Sequence, residues 1–394
     1  MMRIAHVTDC YLPRLGGIEM QVRDLATRQQ QAGEDVEIIT ATPAIPGLGL
    51  DFSEPLRVHR MASGVAPMAR SIVAALDVPD MLRSGGYDQV HVHASVMSPL
   101  ATGAAVAACR LGLPTAITVH SMWSRLGPLP PLVVGSLGMR EAPVAWSAVS
   151  ETAAQAVRRA LARDSWVMVL PNGIEAREWR VEPCSRRPDE VVIASVMRLA
   201  PRKRPLQLLR MLRRVQGLVE PDVRVRAVIV GRGPERAALD RYLARHNMRS
   251  SVDLMGQLDR ERIRDVFSRA DIYVAPAELE SFGIAALEAR AAGLPVVATR
   301  RGGVGEFITH GRDGLLGWDD HELVHAMATL ATLPALRLKI ADHNRLRPPL
   351  LSWAYTLGRT ALLYETAGRL APRGRPLVRA AGRRVGRTIK TAAR

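Results

Sequence analysis

Cysteine is scarce in this chain. Its three copies, Cys10, Cys109 and Cys184, are odd in number, far apart and never form a C-x-x-C pair. That spacing argues against a disulfide framework or a cysteine zinc site and fits a reducing compartment. Aromatic residues are also scarce, at 4 % of 394 residues. Alanine, valine and leucine must then fill the core, and there is no aromatic platform on which nucleobases could stack. Long apolar runs are missing as well: Gly, Pro or Arg interrupts each one before it reaches membrane-spanning length. The opening MMRIAHVTDCYL is too short in its apolar run for a signal peptide. The expectation is a cytoplasmic protein, peripheral at the inner face of a membrane at most.

What the chain has in excess is positive charge. A formal net charge of +16 favours anionic partners such as nucleotide phosphates, nucleic acid or an acidic lipid surface. The last residues, 371–394, carry eight Arg or Lys and no acid. Arg379, Arg383, Arg387, Lys390 and Arg394 fall at helical spacing, with Leu377, Ala381, Val385 and Ile389 on another face. Two readings stand: a basic amphipathic helix lying on a membrane, or a disordered basic tail. Because so much of the excess sits there, and stacking aromatics are absent, nucleic acid is not expected as a partner.

The length suits two domains, and strands alternate with helices along the chain. Arg3–Thr8 reads as a buried strand, followed by Gly16-Gly17 and a helix that Gly33 closes. Strands are expected near 36–40, 90–93, 114–119, 145–149 and 166–170, with an Ala-rich helix at 97–111 and a loop-rich stretch at 42–66. Pro171-Asn172-Gly173-Ile174 is a turn by composition. The charged stretch 181–190, with two prolines, is read as the linker. A second series of strands is expected at 191–196, 225–230, 252–254, 272–274 and 296–298, with a helix at 258–267 and another at 352–367. Gly302–Glu306 is read as a glycine turn before a helix. The expected division is 1–183, 184–351 and the tail 371–394.

The richest stretch is Ala270–Thr299. It reads as strand, loop, helix and strand, a βαβ unit that requires a parallel sheet. Glu280 lies in the loop, and Glu288 lies eight residues on, a little over two helical turns deeper. The backbone N–H groups of Phe282, Gly283 and Ile284 would open the helix, where a phosphate is stabilised by unpaired donors and the helix dipole. Arg198 and Lys203, five residues apart at a strand exit, could neutralise a diphosphate: arginine as a bidentate fork, lysine as a point charge. Gly231-Arg232-Gly233 is too short of glycines to define a dinucleotide site. His91 and His93 alternate on one strand and read as packed, hydrogen-bonded residues, since no third metal ligand is apparent. Residues 122–139 are apolar with prolines and glycines. They read either as a buried loop or as a wall for a lipid acceptor that meets the membrane.

The block ESFGIAALEARAAGLPVVAT closely resembles the donor-binding signature of the retaining glycosyltransferases of the GT4 family. GG-x-E at Gly16, Gly17 and Glu19, the Arg198/Lys203 pair and the loop at Gly231 agree with it in order and spacing. The resemblance covers the chain to about residue 367. It implies an α/β protein of the GT-B fold, with two Rossmann-like domains facing each other across a cleft and the helix 352–367 crossing back to the first. It further implies that Glu280 faces the donor sugar, Glu288 holds the ribose, and Arg198 with Lys203 holds the diphosphate. His120, after its strand, would contact the sugar, and Gly16-Gly17 would approach the donor phosphate. Met197 stands where the family usually has glycine. No Asp-x-Asp motif is present, so no metal and no cofactor beyond a UDP- or GDP-linked sugar is expected. The implied reaction moves a hexose, with retention, to a lipid-linked or polysaccharide acceptor. A small soluble acceptor such as an inositol phosphate, an epimerase or phosphorylase on the same fold, and a non-catalytic nucleotide-sugar binder are the alternatives.

Overall fold

The computed structural model describes residues 1–44, 56–62, 64–66, 69–96, 98–127, 129–161, 165–184 and 189–372. The basic tail and part of the linker therefore lie outside the described residues. Thirteen strands are described. β1 (Arg3–Thr8), β2 (Asp35–Thr40), β3 (Arg57–Arg60), β4 (Gln89–Ala94), β5 (Thr115–Val119), β6 (Val144–Ala148) and β7 (Val167–Val169) form one sheet in the order β3-β2-β1-β4-β5-β6-β7. β8 (Glu190–Val196), β9 (Arg224–Val230), β10 (Val252–Gly256), β11 (Ile272–Ala275), β12 (Val296–Thr299) and β13 (Gly314–Gly317) form a second, in the order β10-β9-β8-β11-β12-β13. Every strand pair is parallel.

Helices connect them: α1 (Gly17–Gln31), α2 (Arg70–Gly85), α3 (Pro99–Arg110), α4 (Leu129–Ser136), α5 (Glu151–Ala160), α6 (Ala176–Trp179), α7 (Pro205–Gln216), α8 (Arg236–Arg245), α9 (Arg260–Ser268), α10 (Ile284–Ala291), α11 (Asp320–Thr332), α12 (Pro334–Leu346) and α13 (Trp353–Leu370). In each sheet the strand order reverses beside the first strand, between β1 and β4 and between β8 and β11. Ligands of such sheets bind beyond the carboxyl ends of the strands at that reversal. The two reversals meet across a cleft. The fold is α/β with two Rossmann-like halves.

Strands buried along their whole length, such as β4, β5, β6 and β12, reflect sheets covered on both faces. The helices carry their own start signals. Ser150 accepts from Ala153 N at 3.1 Å and Asp259 from Arg262 N at 2.8 Å, each satisfying a donor that the helix leaves open. α13 returns to the first sheet. Leu363, Tyr364 and Ala367 pack with Ile4, Ile38, Ala116 and Ala145. Thr356 Oγ1 donates to Pro171 O at 3.1 Å, and Arg359 Nε to Val169 O at 2.7 Å.

Some expectations change. The stretch 42–66 contains a strand, β3, at the sheet edge; with Val58 its only apolar residue, Arg57–Arg60 shows no strand pattern. The helix after β10 begins at Arg260, because Asp259 caps it, rather than at 258. Gly303–Glu306 is a single 3₁₀ turn, not the start of a longer helix. The apolar stretch 122–139 is only partly buried, and part of it is helical. Trp123–Leu126 form a 3₁₀ turn and Leu129–Ser136 form α4, whose prolines fall in the first turn, where they are tolerated, while Met122, Val134 and Met139 do pack into the core. Leu129, Leu132 and Val133 lie on the exposed face of α4, with exposed Leu137 continuing the helical spacing just past its end, while Pro130 and Val134 are buried. Among the described residues no single helix is long and apolar enough to cross a membrane.

Candidate active site

The site is built from loops that leave the carboxyl ends of both sheets. From the second half, β11 exits through Pro276 into the loop that holds Glu280, then into α10. Gly283 takes φ 93°, a conformation that side chains rarely adopt, and a Cβ there would lie 2.4 Å from Val304 Cγ2. Glycine is thus required both for the turn and for the close approach of the Gly302–Gly305 loop. Phe282 is buried against Phe307, ring centroids 5.4 Å apart. Its side chain belongs to the core, so only its backbone is available to a ligand. No side chain caps α10. The neighbouring helix starts differ: Asp9 accepts from the Leu100 and Ala101 amides at α3, and Glu306 accepts from the Glu151 and Thr152 amides at α5. The start of α10 keeps its donors and dipole for an anion.

Lys203 forms an ion pair with Glu280, side chain to side chain, beside that helix start. It brings together two residues 77 positions apart that the sequence assigned to one ligand. Arg198 is exposed, and its charge reaches Glu19 and Cys10 of the first half. Arg204, next in the run, is committed elsewhere: it makes a two-pronged pair with Asp320 at 2.9 and 2.7 Å. Gly231, at φ 141°, packs against the backbone of Met197; a Cβ there would lie 1.8 Å from Met197 O. Close backbone approach at this exit is therefore supplied from the Gly231 loop, across from the position where the family has its glycine.

Glu288 sits one turn into α10, partly buried rather than solvated. Burial pushes its carboxyl up to about 7, Arg260 restrains the rise, and Asp24 adds to it. Arg260 is ion-paired with Asp24, which lies on α1 of the first half. That pair bridges the cleft beside Glu288, and sequence reasoning missed it: residues 236 positions apart leave no local signal.

From the first half, Gly16-Gly17 opens α1 directly opposite α10. A Cβ on Gly17 would lie 3.3 Å from Ile284 Cδ1. Glu19 folds back over Gly16, is buried, and pairs with Arg14 at 3.1 Å; burial pushes its carboxyl up. His120 is buried at the exit of β5. Its Nε2 lies 3.0 Å from His93 Nδ1, and burial lowers its pKa to about 4. His91 and His93 are fully hydrogen-bonded, as read from the sequence. The third imidazole that the sequence did not reveal is His6, whose ring nitrogens lie close to both.

Two parallel Rossmann-like halves with an anion-ready helix start, a Lys–Glu pair and a glycine turn facing it define a GT-B glycosyltransferase. Comparison with known families agrees: the family model "Glycosyl transferases group 1" matches residues 181–347 and "Glycosyltransferase Family 4" matches residues 15–178, and the chain belongs to glycosyltransferase family 4. It is 26 % identical to a phosphatidylinositol N-acetylglucosaminyltransferase from Arabidopsis thaliana, over 93 % of this chain and 82 % of the relative. It is 28 % identical to a GDP-mannose-dependent alpha-mannosyltransferase of Mycobacterium tuberculosis, covering 91 % and 93 %. A D-inositol 3-phosphate glycosyltransferase of Catenulispora acidiphila is 26 % identical, covering 89 % and 90 %. Among solved structures, Anabaena HepE in complex with UDP and glucose has the same fold, at TM-score 0.75 and 19 % identity, covering 93 % of this chain and 100 % of that one.

Proposed function

We propose that the protein transfers a hexose, with retention, from a UDP- or GDP-sugar to a lipid-linked or polysaccharide acceptor at a membrane surface. The observation that carries this is the Lys203–Glu280 pair set beside the uncapped start of α10, with Gly16-Gly17 opposite. In this reading the diphosphate lies on the amides of Phe282, Gly283 and Ile284, between Arg198 and Lys203, with the Gly231 loop alongside. Glu288 takes the ribose hydroxyls. Glu280 and His120 hold the sugar.

The bond from the anomeric carbon to the diphosphate oxygen breaks, and the leaving charge is stabilised by Lys203, Arg198 and the helix start. The acceptor oxygen bonds to the same face of that carbon. Its proton passes to an oxygen of the leaving diphosphate. The chain's own cations do this work, and no metal is invoked. The exposed apolar face of α4, with Leu129, Leu132 and Val133 and with Leu137 just beyond it, supports a lipid surface as the setting. Similarity to inositol phosphate glycosyltransferases favours a second reading in which the acceptor is a small soluble phosphate.

Thermal shift against UDP, GDP, ADP and their sugars tests the donor site. At a hundredfold excess over Kd, one nucleotide should stabilise the protein by about 2.7 kcal/mol, and Lys203→Ala should abolish that. No stabilisation by any of them sinks the assignment. Product configuration by NMR, with and without EDTA, tests retention and metal independence. Co-sedimentation with anionic vesicles, weakened in Leu132→Glu, tests the membrane setting, and transfer to a soluble inositol phosphate without vesicles would favour the second reading.

A further inference from the structure

Beneath His120 the first sheet buries an unbroken chain of polar side chains. His120 Nε2 lies 3.0 Å from His93 Nδ1, and His93 Nε2 lies 2.8 Å from His6 Nδ1. His6 Nε2 lies 2.7 Å from Gln29 Oε1, and Gln29 Nε2 lies 3.1 Å from the Tyr364 hydroxyl. That hydroxyl is 2.9 Å from His91 Nδ1, and His91 Nε2 is 2.7 Å from Thr118 Oγ1. Thr118 Oγ1 is 2.8 Å from Ser147 Oγ, which donates to Ile117 O at 3.0 Å. All of these side chains are buried.

The direction of this chain is fixed at its far end. A backbone carbonyl can only accept, so the single Ser147 hydroxyl proton points at Ile117 O. Ser147 Oγ must then accept from Thr118, and Thr118 Oγ1 from His91 Nε2–H. His91 Nδ1, left without a proton, accepts from the Tyr364 hydroxyl. The Tyr364 oxygen accepts from the Gln29 amide nitrogen, which turns Gln29 Oε1 towards His6 Nε2–H. His6 Nδ1 then accepts from His93 Nε2–H, and His93 Nδ1 from His120 Nε2–H. Reversing any link would leave a buried contact with two protons or none. Burial keeps the four imidazoles uncharged at neutral pH: it lowers His6 and His120 to about 4, and His91 and His93 well below the usual range.

We infer that this relay sets the tautomer of His120, with Gln29 and Tyr364 as positioning residues, so that His120 presents an unprotonated Nδ1 at the exit of β5 to accept a hydrogen bond from a ligand hydroxyl. His120 is thereby an acceptor and not a general acid. Tyr364 belongs to α13, so the crossing helix carries a polar anchor of the site as well as packing surface. The tautomer stands on the relay alone; only the identity of the hydroxyl, on the sugar, rests on the glycosyltransfer reading. The ring nitrogens of His6, His91 and His93 also lie within 4.8 Å of one another, the reach of a metal ion. In the relay each already has a complementary partner.

The test is the two-bond proton–nitrogen correlation spectrum of the full chain with ¹⁵N-labelled histidine, His120 being assigned by its loss in His120→Asn. The expected result at neutral pH is a single Nε2–H tautomer for His120. An Nδ1–H tautomer or an imidazolium there overturns the proposal, as does one equivalent of tightly bound metal in the purified protein. Tyr364→Phe removes the group that orients the Gln29 amide, and Gln29→Met removes the acceptor for His6. Each should give His120 signals of both tautomers in a protein that still shows native near-ultraviolet circular dichroism. An unchanged His120 pattern in both variants overturns the role of Gln29 and Tyr364. If no sugar is transferred at all, these spectra still decide the relay. If the spectra fail while transfer is observed, only the relay falls.

Discussion

The two sheets share a topology but differ in where they keep their polar groups. In the first, the buried strand residues include His6, Thr8, Glu37, Thr40, Gln89, His91, His93, Thr118 and Ser147. In the second, the fully buried polar strand residues are Ser195 and Thr299. The first half builds chemistry into the sheet and satisfies it internally. Glu37 is an example: Arg3, Arg57, His59 and Tyr87 converge on its carboxylate and hold it down to about 2. The second half keeps the interior of its sheet apolar, leaves Arg226, Glu190 and Asp253 paired at its solvent side, and sets Arg198, Lys203 and Glu280 in the loops beyond the strands. Polar groups that answer to one another rigidify, whereas polar groups that answer to a ligand must stay unspent.

The comparison breaks most sharply at the loop charges. Lys203→Ala should lower kcat/KM by roughly 10²–10³-fold, the scale of losing one group that stabilises the leaving charge, while the protein remains folded. Steady-state kinetics on the donor checks this. A loss under threefold would place Lys203 outside the chemistry. Next in size is the sheet itself. Thr118→Val removes the acceptor of His91 and the donor to Ser147, and should cost about 1–3 kcal/mol in chemical denaturation. Ser195→Ala, which removes one bond to Val274 O at 2.6 Å in the other sheet, should cost about 1 kcal/mol. Equal losses would erase the distinction between the sheets.

The same contrast explains what could be read from the sequence. The second half was legible because its signals are local. Glu280, Gly283 and Glu288 lie within one strand–helix turn, and Gly293 at φ 92° ends that helix where composition says it should. In the first half the strands were legible, from their apolar runs, but their purpose was not. His6 meets His93 across 87 positions, and Tyr364 meets His91 across 273. Only the sheet order that places β1 beside β4 brings the three imidazoles together, and periodicity cannot supply that order. The cleft-crossing pair Asp24–Arg260 escaped for the same reason. The apolar stretch at 122–139 was ambiguous because buried loops and exposed apolar helices share a composition; the spacing of Leu129, Leu132, Val133 and Leu137 was the available clue.

A smaller effect separates the acid proposed to meet the ribose from a packed one. Glu288 titrates at about 7 against an unfolded value near 4.5. The folded state thus holds a proton that the unfolded chain has released, so this group's contribution to stability is largest below 4.5 and is lost as the pH rises through about 7. Nucleotide binding should run the other way. In the proposed site the ribose hydroxyls donate to the ionised carboxylate, so affinity should rise by about tenfold between pH 6 and pH 8. Titration calorimetry should show this slope, and Glu288→Gln should flatten it. A slope that persists in the variant would assign the titration to another group.

The smallest effect concerns how the halves are held together. Glu306, on a loop of the second half, accepts from Glu151 N at 2.7 Å, Thr152 N at 2.8 Å and Thr152 Oγ1 at 2.7 Å, all at the start of α5 in the first half. A carboxylate at an exposed helix start is worth about 0.3–1 kcal/mol and is screened by salt. Glu306→Ala should therefore barely move the unfolding midpoint. Its signature should be local: the Glu151 and Thr152 amides should lose protection from hydrogen exchange. The Ala153 amide should keep its protection, because its acceptor, Ser150 Oγ at 3.1 Å, belongs to the same half. If all three amides lose protection together, α5 frays as a unit and Glu306 stabilises the helix. If only the first two do, Glu306 acts as a latch between halves, and the loss should shrink at high salt, where the wild type is already partly released.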